Sequence, residues 1–274
     1  MNRETDFERK HKEDLKRLHN LRLLDDDFMT KVFEDTKCAE FLLRIILKRD
    51  DLKVTKSTSQ YGIKNLQGRS VRLDILAVDQ KNHVYNIEIQ RSDHGAGVKR
   101  ARYNSSLIDA NVTEPREQYE ALNESYVIFI TENDVLRKGL PIYHIERMIT
   151  ETGELFGDEE HIVYVNSQIR DDTSLGRLMH DFTCTEAKDM YYHVLADRVR
   201  YFKEDEKGVT VMCKAMEDMR NEAAREAARE SAREKTLQIA NNMLGMKKFT
   251  YEDIAGATGL TVDEIKELDS KKSA

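Results

Sequence analysis

The stretch RLDILAVDQKNHVYNIEIQR, residues 72–91, consists of two segments of alternating apolar and polar residues joined by a polar turn. This period of two is typical of half-buried β-strands, so the stretch predicts a β-hairpin. Its apolar face carries Val71, Leu73, Ile75 and Ala77 on the first strand and Tyr85, Ile87 and Ile89 on the second. Its polar face carries Arg72, Asp74, Asn86, Glu88 and Gln90.

The apolar face determines how the two strands pair. Residues directly opposite each other in an antiparallel pair point to the same side, so partners across this hairpin must have numbers with an even sum. That register places Asp74 beside Glu88 or Gln90. It also predicts a loop with an odd number of residues, Lys81 to His83 or Gln80 to Asn82, because a two-residue loop would give an odd sum.

The pairing of Asp74 with Glu88 suggests a metal site. Adjacent carboxylates repel each other, and a fold keeps both ionised chiefly when a cation lies between them. Oxygen donors favour Mg²⁺ or Mn²⁺, which can orient and acidify an attacking water and neutralise charge that builds on a phosphate. The alternative interpretation is that both residues lie on the solvent face of a two-faced sheet, with Arg72 as a surface ion-pair partner.

The segments on either side of the hairpin predict an α/β domain. Residues 27–48 have apolar positions at helical spacing, with a break near Asp35, and residues 52–61 predict a first strand. After the hairpin, residues 98–111 predict a helix and residues 124–131 predict a strand buried on both faces. Further strands of the same sheet are predicted within residues 141–150 and 161–166.

From Thr173 onward the pattern is helical. Its most regular part is EAAREAARESARE, residues 222–234, in which three Glu residues each precede an Arg by three positions and the alanines form a narrow stripe. This helix is either a solvated spacer or a surface through which the chain forms a homo-oligomer.

The segment FTYEDIAGATGLTVDEIKEL, residues 249–268, is similar to a helix-turn-helix unit. Thr250 and Thr261 are placed to cap two short helices, and Gly259 lies at the bend. The second helix carries three acidic residues against one Lys, which disfavours contact with phosphates, so packing or assembly is favoured over DNA reading. The chain thus divides into a main domain, a helical extension and a small tail, at residues 1–170, 171–248 and 249–274.

Composition limits the class of protein. Of the 274 residues, 39% are apolar and 35% are charged, which is typical of a soluble globular protein. No apolar run approaches the roughly 20 residues of a membrane span, and the N-terminus has no apolar signal core, so a cytoplasmic protein without membrane contact is expected. The net charge of −7 argues against general coating of nucleic acid but allows a local basic groove. The widely spaced Cys38, Cys184 and Cys213 are expected to be reduced core thiols.

The order of helix, Asp-bearing strand, hairpin, Glu-x-Gln, basic helix and buried strand resembles the PD-(D/E)XK nuclease superfamily. Within it, the chain is most similar to the PD-(D/E)XK nuclease family transposases, or Rpn recombination-promoting nucleases. DDDFMTKVF, GRSVRLDILAVDQKNHVYNIEIQ and KRARYNSSL carry the resemblance, which extends from about residue 20 through the Glu/Arg-rich helical region. It implies a restriction-endonuclease-like α/β core, with a mixed sheet flanked by helices and a long helical C-terminal extension.

The resemblance also implies roles for individual residues. Asp74 and Glu88 become metal ligands for Mg²⁺ or Mn²⁺, the backbone carbonyl of Ile89 joins them, and Gln90 completes the catalytic set. Gln90 stands where the superfamily has Lys, and Gln can form hydrogen bonds but cannot offer a positive charge. The first helix often supplies a further acid in this superfamily. Asp27 is the candidate here, with Glu34 and Glu40 as alternatives.

The predicted helix after the hairpin fits phosphate binding. Lys99, Arg102 and Tyr103 lie along one side of it and Arg100 flanks them, so they could hold a DNA backbone next to the metal. The alternative is a solvated helix face with Tyr103 half-buried.

Taken with the family, these features predict a Mg²⁺-dependent DNA endonuclease linked to recombination, transposition or mobile elements. Two alternatives remain open. One is a weakly active or inactive nuclease-fold protein that acts in DNA binding or assembly. The other is an RNA substrate, because the same metal chemistry acts on either backbone and the choice of DNA depends on the resemblance alone.

Overall fold

The computed structural model of the chain describes residues 6–63, 65, 70–91, 93–112 and 118–272. Two compact units are present, Met1–Ala215 and Met216–Ala274. In chain order, the elements up to the start of the long helix are α1 (Asp6–Asn20), α2 (Asp26–Phe33), α3 (Thr36–Leu47), β1 (Val54–Ile63), β2 (Val71–Asp79), β3 (Val84–Gln90), α4 (Val98–Val112), β4 (Ser125–Thr131), β5 (Ile142–Ile145), β6 (Glu160–Asn166), α5 (Ser174–Thr183), α6 (His193–Glu204) and α7 (Glu206–Met246).

The six strands form one mixed sheet in the order β1-β2-β3-β4-β6-β5. Strands β1, β2 and β3 are antiparallel neighbours, whereas β3, β4 and β6 run parallel. Strand β5 is shorter than predicted and pairs antiparallel with β6 at one edge. Together with the flanking helices, this sheet confirms the predicted α/β class.

The hairpin has the predicted register. Ile75 lies opposite Ile87 and Ala77 lies opposite Tyr85, so the partner numbers have an even sum. The Asp79 N–H donates to the His83 carbonyl at 3.2 Å, which leaves a three-residue loop, Gln80 to Asn82, the second of the two predicted loops. Asn82 occupies the left-handed region with φ of 65°, as three-residue hairpin loops require at their last position.

Strand β3 is buried on both faces, which the alternation of its sequence did not indicate. Asn86 and Glu88, on the polar face, are both 0% exposed. Helix α4 covers this face, since it contacts β4 and its Arg100 bonds to Glu88. The interpretation of the polar face as a solvent face was therefore wrong for Glu88.

The predicted break near Asp35 is confirmed, because Asp35 separates α2 from α3 and its side chain accepts a hydrogen bond from the Lys37 N–H at 2.9 Å. Helices α5 and α6 follow the boundary predicted at residue 171 but pack against α2 and α3 in the first unit. Aromatic contacts accompany this packing, with the Phe33 and Phe182 rings stacked at 5.8 Å. The apolar faces of α5 and α6 explain why they join the core.

The second unit contains most of α7 with α8 (Tyr251–Thr258) and α9 (Val262–Lys272). Ala240, Ile254 and Ile265, one from each helix, form its core. The predicted turn chemistry is confirmed. Thr250 and Asp253 form a capping box, and Gly259 ends α8 with φ of 74°. Thr261 and Glu264 exchange the same kind of bonds at the start of α9.

The regular stretch of residues 222–234 lies within α7, as predicted, and all its residues are exposed. Its use for self-association stays a prediction. Within the described ranges, none of the helices combines the length and apolar character needed to cross a bilayer.

Candidate active site

Asp74 and Glu88 lie opposite each other where the β2–β3 ladder ends. The last regular pair is Ile75 with Ile87. Beyond it, the Ile89 N–H donates to Asp74 Oδ2 at 3.1 Å, and the Asp74 N–H lies 3.4 Å from Glu88 Oε1. At this end of the hairpin, the side-chain carboxylates of Asp74 and Glu88 face the backbone N–H groups that backbone carbonyls face in a regular ladder. The hairpin therefore holds the two acidic side chains close together.

Both carboxyl groups have raised pKa values. For Asp74, burial raises the pKa well above its ordinary value of 3.8, the charges of Glu88 and Asp26 raise it further, and the Ile89 N–H and Arg100 oppose the rise. Burial also raises the pKa of Glu88, with Arg100 and the Asp74 N–H opposing it. The fold therefore places side by side two carboxyl groups whose ionised forms are disfavoured, an arrangement that a bound cation would relieve.

A third acid acts on this pair from the start of α2, and it is Asp26. Burial raises the pKa of Asp26, with further contributions from the charges of Asp27 and Asp25. The charge of Asp26 in turn raises the pKa values of both Asp74 and Glu88. Asp26 is thus electrostatically coupled to the carboxylates of the hairpin.

The acids that the sequence analysis named in the first helical region have other partners. Asp27 pairs with Arg17. Glu34 pairs with Lys31 at 2.7 Å. Glu40 accepts a hydrogen bond from the Val54 N–H at 3.0 Å and pairs with Arg44. The structure does not bring these three acids into contact with the carboxylates of the hairpin.

Helical periodicity does not by itself separate Asp26 from Asp27. Asp26 precedes Met29 by three residues and Phe33 by seven, and both of these side chains are fully buried. Asp27 precedes Lys31 and Glu34, which are half-exposed, by four and seven residues. Asp26 itself is exposed, however, and Asp27 is half-buried, so the pattern of burial along α2 does not select between the two acids.

Ion pairs and a buried Lys hold the turn before α2. Lys203 Nζ donates to the carbonyls of His19 at 3.0 Å, Leu21 at 2.6 Å and Thr185 at 2.5 Å. At the ends of the parallel strands β3 and β4, Arg91 and Glu132 pair with each other. Arg91 also bonds to Asp25, the N-cap of α2, at 2.8 Å. These contacts place the first turn of α2 beside the carboxyl end of β3.

Gln90 and Arg100 lie on either side of the chain that follows β3. Gln90 is half-buried, and its Oε1 lies so close to Gly95 that a Cβ at residue 95 would be 1.6 Å away. One guanidinium nitrogen of Arg100 donates to Glu88 Oε2 at 2.9 Å, and another donates to the Gly95 carbonyl at 2.9 Å. Arg100, named from sequence as a substrate-binding residue, therefore contacts a candidate metal ligand directly.

A basic cleft of about 930 Å³ lies between α4 and the start of β2. Its lining includes Arg72, Lys99, Arg100, Arg102, Tyr103 and Ser106. Lys99 and Arg102 are exposed, whereas Tyr103 is half-buried and its hydroxyl accepts a hydrogen bond from Asn65 Nδ2 at 3.0 Å. The structure thus brings together the four residues that the sequence analysis named for phosphate binding.

A separate group of possible ligands was missed in the sequence. Ligand atoms of His180, Asp181 and Cys184 lie within 4.8 Å of one another, because residues four apart meet across one helical turn. The Asp181 carboxylate accepts the backbone N–H groups of Tyr191 at 2.8 Å and Tyr192 at 2.9 Å, and so holds the start of α6. Cys184 and Cys213 are only partly buried, so the expectation of core thiols is confirmed for Cys38 alone.

Comparison with known protein families identifies the family of the chain. A family model described as PD-(D/E)XK nuclease family transposase matches residues 39–245, which is most of the chain. The match begins later than the sequence segments suggested, so Asp26 and Asp27 lie outside it. No curated protein and no solved structure matches the chain significantly. Because the matched range covers most of the chain, the chain belongs to the PD-(D/E)XK nuclease family transposases.

Proposed function

We propose that the chain is a DNA endonuclease that depends on Mg²⁺ or Mn²⁺ and acts in recombination or in the movement of mobile elements. The observation that carries this proposal is the forced proximity of Asp74 and Glu88 beside a basic cleft. A buried pair of like charges is costly unless a cation binds it, and a basic cleft attracts a phosphate backbone.

The donor set fits a hard divalent cation. Asp74 and Glu88 supply carboxylate oxygens, the Ile89 carbonyl supplies a neutral oxygen, and Asp26 adds a third negative charge nearby. Oxygen ligands of this kind select Mg²⁺ or Mn²⁺ over softer metals. When bound there, such a cation would acidify an attacking water and neutralise charge on the phosphate.

The remaining residues position the substrate. Gln90, held under Gly95, can hydrogen-bond to the attacking water or to a phosphate oxygen. Lys99 and Arg102 are exposed in the cleft and can pair with phosphates on either side of the scissile bond. Tyr103 contributes a hydroxyl from the same wall.

Plasmid cleavage tests this function. Supercoiled plasmid incubated with the full chain and Mg²⁺ or Mn²⁺ is expected to give nicked and linear products, and EDTA is expected to abolish them. Asp74→Ala and Glu88→Ala are each expected to reduce the products to background, because each removes a carboxylate that the cation requires. Gel electrophoresis of time courses provides the measurement.

Two outcomes would change the proposal. Cleavage that survives both substitutions would refute the site. Wild-type chain that cleaves under neither metal, yet shifts DNA in a gel, would support the alternative of a DNA-binding or assembly protein with a nuclease fold. A parallel reaction with single-stranded RNA would show whether the substrate class extends beyond DNA.

Thermal unfolding gives a second test that does not depend on cleavage. Because the pKa values of Asp74 and Glu88 are raised on folding, the folded chain binds more protons than the unfolded chain between the ordinary values of 3.8 and 4.5 and the raised ones. The contribution of these groups to the free energy of unfolding is therefore greatest at acid pH and is lost as the pH rises through the raised values. A cation that binds the ionised pair acts in the opposite direction, so millimolar Mg²⁺ is expected to raise Tm more at neutral pH than at acid pH.

The variant Glu88→Gln provides the comparison for this measurement, and Asp27→Asn is the control, because Asp27 pairs with Arg17 instead. Mg²⁺ is expected to leave the Tm of Glu88→Gln unchanged and to raise that of Asp27→Asn as in wild type. An equal rise in all three proteins would show that the cation binds elsewhere.

A further inference from the structure

The active site lacks a positive charge at the position where its superfamily carries Lys. Gln90 occupies that position, and its amide is packed under Gly95, with a distance of 1.6 Å from Oε1 to an added Cβ at residue 95. An amide can donate a hydrogen bond, but it cannot neutralise the negative charge that builds on a phosphate during attack. If the chain cleaves DNA, any positive side chain that acts on the phosphate together with the metal would have to come from another residue.

Arg100 is placed to supply such a charge. Its guanidinium bonds to Glu88 Oε2 and to the Gly95 carbonyl, both at 2.9 Å, and so spans the carboxylate and the turn that covers Gln90. The Arg100 side chain is 40% exposed although Glu88 is fully buried. A guanidinium has five N–H donors, so Arg100 can keep both bonds and still donate to a phosphate oxygen.

The position of Arg100 also distinguishes it from its basic neighbours. Its charge acts on Asp26 and Asp74 as well as on Glu88. It lines the basic cleft at the same time, so it lies where the carboxylates and the cleft meet. Lys99 precedes Arg100 by one residue and Arg102 follows it by two. Both are exposed on the cleft wall and suit phosphates farther from the reacting bond.

We propose that Arg100 is a catalytic residue that contacts the scissile phosphate from α4 and supplies the positive charge that Gln90 cannot. This inference depends on the proposed nuclease function. In the reaction, a bond forms between the water oxygen and phosphorus, and the bond from phosphorus to the leaving oxygen breaks with its electron pair going to that oxygen. The attacking water gives a proton to solvent, and the leaving oxygen takes a proton from solvent. Charge on the non-bridging oxygens is greatest between these events, and Arg100 donates hydrogen bonds to them.

The substitution Arg100→Gln tests the proposal, with Arg200→Gln as the control, because the Arg200 guanidinium pairs with Asp197 on α6. Single-turnover cleavage at saturating DNA is expected to slow about 30-fold in Arg100→Gln, as for the loss of one charge-assisted hydrogen bond. DNA affinity measured in EDTA is expected to change by less than about threefold, since one phosphate contact among several is removed. Arg200→Gln is expected to leave both the DNA affinity and the saturated rate near those of wild type.

Two further variants separate charge from shape. Arg100→Lys keeps the charge but loses the fork geometry, so its rate is expected to lie about tenfold above that of Arg100→Gln. Gln90→Lys added to Arg100→Gln restores the cation at the other position and is expected to recover rate, which a purely structural Arg100 would not allow. Thermal unfolding of each variant confirms that the comparison is between folded proteins.

The outcomes separate this inference from the function on which it depends. If Asp74→Asn is inactive and Arg100→Gln cleaves at the wild-type rate, the site stands and the role of Arg100 is refuted. If Arg100→Lys is no faster than Arg100→Gln, the need for charge is refuted. If wild type does not cleave, or if Asp74→Asn cleaves like wild type, the nuclease site itself is refuted and the inference with it.

Discussion

Replacing Asp74 with Asn is expected to lower the rate of plasmid cleavage at least about 1,000-fold and to raise the Tm of the metal-free chain by about 2–4 °C. The two effects have one cause. At neutral pH the Asp74 carboxyl is buried beside Glu88 and Asp26, and these surroundings raise its pKa well above the ordinary value. Keeping this carboxyl ionised lowers the free energy of unfolding. The ionised form is needed to bind a cation, but it destabilises the metal-free chain.

Asn preserves the local structure at this position. Its carbonyl oxygen can still accept the Ile89 N–H, which donates to Asp74 Oδ2 at 3.1 Å in the native chain. Its amide group can donate to Glu88 Oε1, where the native carboxylate only repels. The substitution therefore removes a charge and keeps the shape, so a loss of cleavage cannot be assigned to unfolding.

Asp134→Asn is the control, because the surroundings of Asp134 lower the pKa of its carboxyl, whereas those of Asp74 raise it. Hydrogen bonds from the Gly139 N–H at 2.7 Å and the Tyr143 hydroxyl at 2.8 Å accompany a pKa lowered from its ordinary value. Asp134→Asn is expected to lower Tm and to leave cleavage unchanged. A lower Tm with retained cleavage in Asp74→Asn would contradict the site.

The second large effect distinguishes two adjacent acids. Asp26→Asn is expected to slow cleavage about 100-fold, as is common when a charge next to a metal ligand is removed. Asp27→Asn is expected to change the rate less than about twofold, because Asp27 pairs with Arg17. Both substitutions lie in the first turn of α2 and remove one charge from the same helix terminus.

Single-turnover cleavage at saturating plasmid measures this difference. The helix-dipole effect of losing an acid is shared by both variants, so it cancels in the comparison. Equal rates for the two variants would show that Asp26 does not act on the site. A slow Asp27→Asn with a normal Asp26→Asn would instead restore the acid named from sequence.

The hairpin shows which structural features a local sequence pattern can predict. Alternation along residues 72–91 predicted the register, the side-by-side placement of Asp74 and Glu88, and a three-residue loop as one of two choices. These features depend on period-two geometry within about twenty residues, so neighbouring side chains determine them. The helices α4 and α7 were predicted for the same reason, since helical periodicity is also local.

The surroundings of the polar face of β3 could not be predicted from the local pattern. Alternation assigned Asn86 and Glu88 to a polar face but could not show whether water or another element covers it. Helix α4 does so, and it also brings Arg100 within 2.9 Å of Glu88. The assignment of Asp27 stays a prediction, and the packed chain adds Asp26, whose charge raises the pKa values of Asp74 and Glu88.

The sequence by itself determined the α/β class, the pairing of the hairpin and the identity of its two central carboxylates. Tertiary structure alone decided that Glu88 is buried, that Arg100 contacts it and that the charge of Asp26 acts on Asp74 and Glu88. The physical reason is the range of the interactions. Strand and helix periods are set by backbone geometry over a few residues, whereas burial and charge coupling arise between elements that meet only when the chain is packed.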